Sequence, residues 1–351
     1  MNSGSHLHFD IALRCVSRKS KGFGNFRRSL ILYEILTKNS KKPLLIIDDN
    51  PAAKKLVIKK HINFKIIPKH LRIEEESKKI TEILKLHSIS KIILDVREIG
   101  EKLSKKLSSN DLIVISIDDA WIKNVYSNMI INVTGIEKYS KYIFKKSFTK
   151  SYFGDDYFIT EKNFSQNKKS LNSIHLKKIY NVTITMGGSD PNDLTKWILE
   201  ILLKNPTLFL TIIVGPFYTK TKSLIKLISN YNNCKIIFSP PKIWTIFKNS
   251  DLVITNAGNT LFELTMQGVP NVSIVAFRHQ KPYAEYFSKR GSTVNLGYKS
   301  NISKTFLETT IIGLLKNPNL RKKMSRIGPK IIDGYGAERV CNLILSIMKK
   351  R

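Results

Sequence analysis

Three segments of the sequence combine glycines with small polar or acidic residues at the end of an apolar run, a composition suited to binding anionic groups. The first is SRKSKGFGNFRRSL, in which Gly22 and Gly24 precede a segment of helical period. Glycines at such a turn permit positive φ and close approach of a ligand, and the helix N-terminus offers free N–H groups. An ordinary tight turn would show the same spacing, so this segment by itself leaves both interpretations open.

The second segment is VTITMGGSDPND, a strand-like run that ends in Gly187 and Gly188. Ser189 or Asp190 would cap the helix that follows, with Pro191 near its first turn. This turn suits an anion on the helix dipole, although an ordinary strand-to-helix connection would look similar. The segment has neither the lysine of a P-loop nor the third glycine of the dinucleotide fingerprint, so it predicts neither an ATPase nor an NAD enzyme.

The third segment is DLVITNAGNTLFELTMQGVP, in which a strand runs into a loop of small residues and side-chain donors. Asn259 and Thr260 precede a predicted helix, Leu261–Gln267, with Glu263 in its first turn. A phosphate on that helix N-terminus, with a carboxylate accepting two ribose hydroxyls, would make a nucleotide-diphosphate site. Alternatively, Glu263 stabilises the start of its own helix as an N3-like acid.

Three aspartates stand at strand ends, where a general base could lie. Asp48, Asp95 and Asp119 each end or follow a short apolar run, and the carboxyl ends of parallel strands share one edge of a sheet. A carboxylate in that position could take the proton from an acceptor hydroxyl. Each aspartate could equally cap the helix that follows it.

The elements that would position these residues alternate between short apolar runs and longer segments of helical period. Runs such as Phe9–Arg14, Lys91–Val96 and Leu252–Thr255 are typical of strands buried in a parallel sheet. The sequence therefore predicts an α/β protein with two Rossmann-like parallel-sheet domains facing each other across a cleft that binds the ligands. A polar stretch with little periodicity separates them, which places the N-terminal domain at 1–160, the linker at 161–178, the C-terminal domain at 179–330 and a helical segment at 331–351.

The composition is that of a globular protein without membrane spans. The 351 residues fit two domains, and 42% apolar with 25% charged residues excludes a disordered chain. The apolar runs are a handful of residues long, whereas a membrane helix needs about 20. The start, MNSGSHLHFD, has no signal-peptide pattern, and Cys15, Cys234 and Cys341 suit neither a disulfide framework nor a metal knuckle. We therefore expect a soluble, reduced, cytoplasmic protein.

The charge is strongly basic, with 59 Lys and Arg against 27 acids and a net charge of +32. Such a charge would suit nucleic acid or an anionic membrane. However, 47 of these residues are lysine and 12 are arginine, in a chain rich in Ile and Asn, as an AT-rich genome would produce. Because phosphate and base recognition rely on the arginine fork, the scarcity of arginine argues against nucleic acid. Peripheral contact with the anionic inner face of a membrane stays open.

In their order, these motifs resemble those of the PseG/SpsG family, which comprises the UDP-sugar hydrolase of the pseudaminic acid pathway and its spore-coat-polysaccharide relatives. That family in turn resembles the MurG-type glycosyltransferases of GT-B fold. MGGSDPND and NAGNTLFE match its GGSDP motif and its small-residue loop, and His279-Gln280 stands where the family has Asn-Gln. Further matches, spread over nearly the whole chain, are Arg14 and Arg28 at the opening motif, Ile117-Asp118-Asp119, Tyr152–Phe158, and the closing Asp333, Gly334, Gly336 and Arg339.

The resemblance implies a GT-B fold in which the C-terminal domain binds UDP and the N-terminal domain binds the acceptor. Asn259 and Thr260 would hold the diphosphate on the helix dipole, Glu263 would take the ribose hydroxyls, and Gln280 would reach the diphosphate or the sugar. Neither a metal nor another cofactor is implied, because the helix terminus neutralises the leaving charge. The positions assigned to nucleotide-sugar binding are Gly22, Gly24, Arg28, Gly187, Gly188, Ser189, Asn259, Thr260, Glu263 and Gln280.

The sequence departs from the family at its catalytic position, because Asn25 replaces the histidine of the GxGH motif and Val16 replaces an aspartate. An amide cannot take a proton at neutral pH. The candidate catalytic residues are therefore Asp119 and Asp95 as bases, together with Asn25 at the family's histidine position. The departure favours glycosyl transfer from a UDP-sugar, in surface glycan or polysaccharide biosynthesis. The alternative is hydrolysis like that of UDP-2,4-diacetamido-2,4,6-trideoxy-altropyranose. A non-catalytic nucleotide-sugar-binding or nucleic-acid-binding protein is the hypothesis from another class.

Overall fold

The computed structural model of the chain describes residues 8–17, 24–108 and 111–348, which divide into two units. The first unit comprises the chain up to Glu161 together with the segment from Tyr335 onwards, and the second comprises Lys162–Gly334. Each unit is built on one main parallel β-sheet. Within the described residues, no helix is long and apolar enough to cross a membrane.

The first unit contains a seven-stranded parallel sheet and a small two-stranded one. The main sheet has the order β3-β2-β1-β4-β5-β7-β9, and β6 pairs with β8. The strands are β1 Ile11–Cys15, β2 Pro43–Asp48, β3 Phe64–Ile67, β4 Lys91–Asp95, β5 Ile113–Asp118, β6 Asn124–Val125, β7 Met129–Asn132, β8 Ile143–Phe144 and β9 Lys150–Phe153. The helices of this part of the chain are α1 Gly24–Lys38, α2 Pro51–Lys59, α3 Ile73–Leu86 and α4 Gly100–Leu107.

The central strands of this sheet are apolar throughout because both of their faces are covered. In β1, Ile11, Leu13 and Cys15 belong to one buried cluster, whereas Ala12 belongs to the cluster on the opposite face. The register places Leu13 opposite Leu45 of β2 on one side and opposite Ile93 of β4 on the other. The strand order reverses between β1 and β4, which opens a crevice at their carboxyl ends.

The second unit is a six-stranded parallel sheet in the order β12-β11-β10-β13-β14-β15, whose order reverses between β10 and β13. Its strands are β10 Tyr180–Thr185, β11 Leu208–Val214, β12 Cys234–Phe238, β13 Leu252–Asn256, β14 Asn271–Val275 and β15 Val294–Tyr298. Its helices are α5 Asn163–Gln166, α6 Leu194–Leu202, α7 Thr221–Ile228, α8 Ile243–Asn249, α9 Asn259–Gln267, α10 Lys281–Lys289, α11 Lys304–Leu315 and α12 Pro318–Ile331.

The segment expected to be a linker, residues 161–178, is ordered from Lys162 as part of the second unit and contains α5. Lys169 is buried, and its ammonium group donates hydrogen bonds to the carbonyls of Lys248 at 3.0 Å and Ser250 at 2.7 Å. These carbonyls lie at the end of α8, where backbone oxygens have no partner within the helix. The polar composition of the segment therefore reflects specific hydrogen bonds as well as exposed side chains.

The helical segment at the C-terminus returns to the first unit. Helix α13, Gly336–Met348, buries Val340 and Ile344 in the same cluster as residues of α1. A Cβ atom at Gly336 would lie 2.3 Å from the carbonyl oxygen of Phe158. Glycine at this position thus allows the start of α13 to approach the backbone of the preceding part of the unit.

Candidate functional site

Four of the predicted site residues meet in the first unit, where its strand order reverses. Asn25 and Arg28 lie at the start of α1, which follows β1, and Asp95 is the last residue of β4. Asp119 directly follows the neighbouring strand β5. Parallel strands bring these carboxyl ends to one edge of the sheet, so residues far apart in the sequence become one polar cluster.

Arg28 joins the two carboxylates of this cluster. Its Nε donates to Asp95 Oδ2 at 3.0 Å, its Nη2 donates to Asp95 Oδ1 at 2.5 Å, and its Nη1 donates to Asp119 Oδ2 at 3.0 Å. Arg28 and Asp95 are buried, whereas the Asp119 side chain is 12% exposed. Burial raises the pKa of Asp95 above its ordinary value, although the adjacent guanidinium opposes the shift.

Asn25 is buried at the position where the resembling family has its histidine. Its Nδ2 donates a hydrogen bond to Asp95 Oδ1, so the amide orients the same carboxylate that Arg28 binds. Asp95 therefore accepts hydrogen bonds from two side chains in an enclosed position. Asp119 is the member of the cluster whose carboxylate is partly accessible to solvent.

Asp48 belongs to a different network. Its Oδ1 accepts from Arg14 Nη2 at 2.9 Å, and its Oδ2 accepts from the backbone N–H of Ser17 at 2.8 Å. Arg14 also donates from Nε to Glu76 at 2.9 Å, and the three charged side chains are fully buried or nearly so. This network joins β1, β2 and α3, and it gives Asp48 a structural role.

Asp118 is a buried carboxylate of the Ile117-Asp118-Asp119 motif, and the sequence predicted no role for it. Its Oδ1 accepts from the backbone N–H of Ala120 at 3.1 Å and of Trp121 at 2.8 Å, and its Oδ2 accepts from the Tyr142 hydroxyl at 2.9 Å. Burial raises the pKa of Asp118 to about 6, with the neighbouring Asp119 charge adding to the shift and the backbone hydrogen bonds opposing it. Asp118 thus fixes the turn that carries Asp119.

The GGSDP loop of the second unit follows β10 at the reversal of strand order. Gly187 has φ of +77°, and a Cβ atom there would lie 3.3 Å from Asn256 Nδ2. Asn256 ends β13, and its Nδ2 donates to the carbonyl of Met186 at 3.0 Å. Gly188 and Ser189 are half-buried in the same loop. The amide of Asn256 therefore ties together the loops that follow the two central strands.

The Asp190 carboxylate binds the first two N–H groups of α6 from outside the helix, three residues before the N-cap residue Asp193. Its Oδ1 accepts the N–H of Leu194 at 2.9 Å, and its Oδ2 accepts the N–H of Thr195 at 2.8 Å. The prediction that Ser189 or Asp190 is the N-cap residue is therefore wrong, because Asp193 occupies that position with a left-handed backbone and makes no side-chain cap hydrogen bond. Because a carboxylate already lies at the N-terminus of α6, that terminus is poorly suited to a second anion.

The N-terminus of α9 differs, because its N-cap residue is Gly258 and it has no side-chain cap. Asn259 and Thr260 are its first two residues and are half-buried. Gln280 is buried beside it: its Oε1 accepts the N–H of Ala276 at 3.0 Å, and its Nε2 lies 3.5 Å from where a Cβ atom of Gly258 would be. Backbone N–H groups without a side-chain cap and a side-chain amide thus adjoin each other at this helix end.

Glu263 lies two residues further along α9 than the sequence predicted. The helix starts at Asn259 instead of Leu261, which puts Glu263 at its fifth residue, and the side chain is buried. The alternative in which Glu263 caps the helix as an N3-like acid is therefore wrong. The small polar residues Asn259 and Thr260 join the helix because Gly258 occupies the extended N-cap position.

The structure thus places the predicted residues in two groups, one in each unit. Gly24 is the first residue of α1, and Gly22 lies outside the described residues. Asn256 and Asp118 were missed as site residues, although each stands at a strand end, which is the signal that could have selected them. Among the described residues, no group of three His, Cys, Asp or Glu side chains is placed to hold a metal ion.

Comparison with known proteins yields a family match in the second unit and a relative that spans both. Residues 177–331 match the glycosyltransferase family 28 C-terminal domain. The spore coat polysaccharide biosynthesis protein SpsG of Bacillus subtilis is 22% identical over 273 residues, covering 76% of this chain and 79% of SpsG. The chain is thus similar to SpsG over most of its length. An uncharacterised protein of Methanocaldococcus jannaschii, MJ1062, is 28% identical over 243 residues, which cover 58% of this chain and half of that relative.

Solved structures share the fold over nearly the whole chain. MurG of Acinetobacter baumannii has a TM-score of 0.71 at 13% identity, covering 96% of this chain and 99% of MurG. HepE of Anabaena, crystallised with UDP, has a TM-score of 0.63 at 15% identity, covering 96% of this chain and all of HepE. MurG and HepE are GT-B proteins, which confirms the predicted fold of two Rossmann-like parallel-sheet domains. The resemblance to SpsG is confirmed by the sequence match to that protein.

Replacing Arg28 is expected to destabilise the first unit strongly. In Arg28→Met, two carboxylates lose their cation in a buried position, which should lower the free energy of unfolding at neutral pH by about 3–5 kcal/mol. The matched control is Arg27→Met, because the side chains of the Arg27 ion pair with Glu161 are 40% and 32% accessible to solvent, so that this pair should contribute at most about 1 kcal/mol. Urea denaturation of both variants measures the difference, and equal losses would contradict the proposed role of Arg28.

Asp118 should make stability depend on pH. The pKa of Asp118 is about 6 in the folded protein and about 3.9 in the unfolded chain. Its contribution to the free energy of unfolding is therefore fully present below about pH 4 and is lost as the pH rises through 6. Asp118→Asn has no such titration. Its free energy of unfolding relative to the wild type should therefore rise by roughly 3 kcal/mol between pH 4 and pH 8. Urea denaturation across this range tests the prediction, and a constant difference would refute it.

Proposed function

We propose that this protein is a glycosyltransferase-type enzyme that uses a UDP-sugar in polysaccharide biosynthesis. The observation that carries the proposal is the N-terminus of α9, which lacks a side-chain cap and lies at the reversal of strand order in a family 28 C-terminal domain. HepE, whose structure is related, was crystallised with UDP and with UDP-glucose, and SpsG is named for spore coat polysaccharide biosynthesis. Both support a nucleotide-sugar as the ligand.

In this proposal the diphosphate of UDP lies at the start of α9. The N–H groups of Asn259 and Thr260 donate to it, and Gln280 Nε2 lies beside Gly258, where a phosphate oxygen or the sugar can approach. The absence of a Cβ atom at Gly258 leaves room for this approach. The positive end of the helix dipole stabilises the departing UDP, so the mechanism needs no metal ion.

The remaining contacts come from the same helix and the facing loop. Glu263, one turn into α9, provides a carboxylate that accepts hydrogen bonds from the two ribose hydroxyls. Gly187, Gly188 and Ser189 form the adjoining wall, held against β13 by Asn256. The second unit would therefore contribute the uridine diphosphate site.

The first unit would contribute the acceptor side of the reaction. In an inverting displacement, an acceptor oxygen attacks the anomeric carbon, the bond from that carbon to the UDP oxygen breaks, and the acceptor proton passes to a base. Asp119 suits that role better than Asp95, because Asp95 is enclosed and accepts from both Arg28 and Asn25. Since three nitrogens of Arg28 already bind carboxylates, Arg28 acts mainly as a positioning residue for Asp119.

Hydrolysis is the second candidate, and the position of Asn25 is the observation that favours it. A histidine at position 25 would lie beside Asp95, an arrangement in which a carboxylate orients an imidazole that takes a proton from water. The amide present in this chain cannot take that proton, so water is activated less well than in such a dyad. We therefore place transfer before hydrolysis.

Calorimetric titration with UDP tests the nucleotide site. We expect a Kd between roughly 1 μM and 1 mM, and Glu263→Gln should weaken binding by about 10-fold or more because a hydrogen bond to a charged group is lost. The matched control is Glu200→Gln, an exposed residue of α6 paired with Lys196, which should leave the Kd unchanged. A wild type that does not bind UDP in moderate salt would refute the proposal.

Turnover assays with a panel of UDP-sugars and sugar acceptors separate transfer, hydrolysis and binding without reaction. Asp119→Asn should lower the rate of transfer by roughly 10²–10⁴-fold, the usual contribution of a general base, with UDP affinity retained. Asn25→His should raise UDP-sugar hydrolysis if the first unit is a hydrolase scaffold that has lost its base. UDP binding with no product from any donor and acceptor would instead indicate a nucleotide-sugar-binding protein.

A further inference from the structure

An exposed edge of the first unit combines aromatic side chains with lysines. We name residues 141–153 the basic-aromatic edge; they include β8, the connection after it and β9, the last strand of the main sheet. Phe144 and Phe148 are 47% and 91% exposed, and Ile143 and Phe153 are also exposed. Large apolar side chains usually occur singly on protein surfaces, so four exposed ones between residues 143 and 153 are unusual.

The charge of this edge has one sign. Four lysines lie within it, Lys141, Lys145, Lys146 and Lys150, and residues 138–154 contain neither Asp nor Glu. Burial lowers the pKa of Lys146, whereas Lys141, Lys145 and Lys150 are exposed. Apolar rings flanked by ammonium groups match the boundary between acyl chains and acidic headgroups, where rings enter the apolar layer and lysines meet the phosphates.

The basic-aromatic edge also contacts Asp118, which neighbours the polar cluster of Arg28, Asp95 and Asp119 in the same unit. The Tyr142 hydroxyl donates to Asp118 at 2.9 Å, and the Tyr142 and Phe144 rings are in edge contact with centroids 6.2 Å apart. Asp118 in turn fixes the turn that carries Asp119. A surface bound to this edge would therefore lie close to the carboxylates at the carboxyl end of β5.

We infer that the basic-aromatic edge docks the protein onto an anionic lipid surface. The side-chain chemistry supports lipid over nucleic acid, because the edge contains lysines but no arginine and its apolar side chains include Ile143 as well as rings. Docking covers the exposed apolar side chains of β8, of the connection after it and of β9, which would otherwise favour aggregation. The inference goes beyond the proposed function and does not depend on nucleotide binding.

Vesicle flotation tests the inference, using mixed phosphatidylglycerol–phosphatidylcholine vesicles and pure phosphatidylcholine vesicles. The wild type should float with the acidic vesicles, bind the neutral ones much more weakly and dissociate as salt is raised. The double substitution Lys145→Gln with Lys150→Gln should weaken binding roughly 30-fold, at about 5-fold for each lysine. Its matched control is Lys222→Gln with Lys226→Gln, which removes the same charge from exposed positions of α7.

The aromatic contribution is tested separately by Phe148→Ser, which should weaken binding to acidic vesicles about 10-fold or more because a phenyl ring no longer leaves water. Phe306→Ser is the control, since Phe306 is 49% exposed in α11 of the other unit. Circular dichroism and UDP titration of each variant establish that the fold and the nucleotide site are intact.

Three results would overturn the inference. Equal effects of the two lysine pairs would show that the net charge of +32, and not this edge, attracts the lipid. A wild type that binds neither vesicle would refute docking outright. A dimer that dissociates on Phe148→Ser, seen by analytical ultracentrifugation without lipid binding, would assign the edge to a second copy of the chain. Failure of UDP to bind leaves all three readouts unchanged, so this inference and the proposed function fail independently.

Discussion

Parallel pairing of a central strand with partners on both sides determines where polar chemistry can occur in each unit. In the first unit β1 lies between β2 and β4, and in the second β10 lies between β11 and β13. Because the chain leaves the central strand and its later partner in opposite directions, the loops after these strands diverge and leave a crevice. The polar residues that matter for the proposal stand in the loops and helix starts beside these crevices, and the apolar strands beneath them hold those loops in place.

The two crevices handle charge by opposite means. In the first unit, a buried guanidinium lies between two carboxylates, so the acidic cluster contains its own cation and its geometry is fixed by ion pairs. In the second unit, the start of α9 offers partial positive charge from backbone groups and a glycine in place of a capping side chain. Buried ion pairs fix side chains at a cost in desolvation, whereas a helix terminus is ready for an anion without further rearrangement. The first arrangement suits residues that must be oriented, and the second suits a leaving group that arrives and departs.

The two parallel-sheet units could be predicted from the sequence, because short apolar runs that alternate with segments of helical period indicate buried parallel strands connected by helices. The strand-end aspartates could also be predicted, since they depend on local residue order. The N-cap of α6 could not, because the loop extends three residues further than expected and Asp193 occupies that position. The burial of individual side chains could not be predicted from the sequence. Asp118 and Asp119 are adjacent and chemically identical, yet Asp118 is enclosed and has a raised pKa, whereas Asp119 is partly exposed. The ordered structure of residues 161–178 could not be predicted for a similar reason. Lysines are usually exposed to solvent, whereas Lys169 is buried and donates hydrogen bonds to carbonyls at the end of a helix.

The return of α13 to the first unit has a consequence for the order of folding. Residues of α13 complete the cluster around α1, and 173 residues of the second unit, Lys162–Gly334, are synthesised between them. The second unit is contiguous in the chain, so it can fold on the ribosome as soon as its last helix emerges. The first unit must keep one face of α1 uncovered until α13 has been synthesised. Of the two units, the one that begins later in the chain is thus completed first during translation.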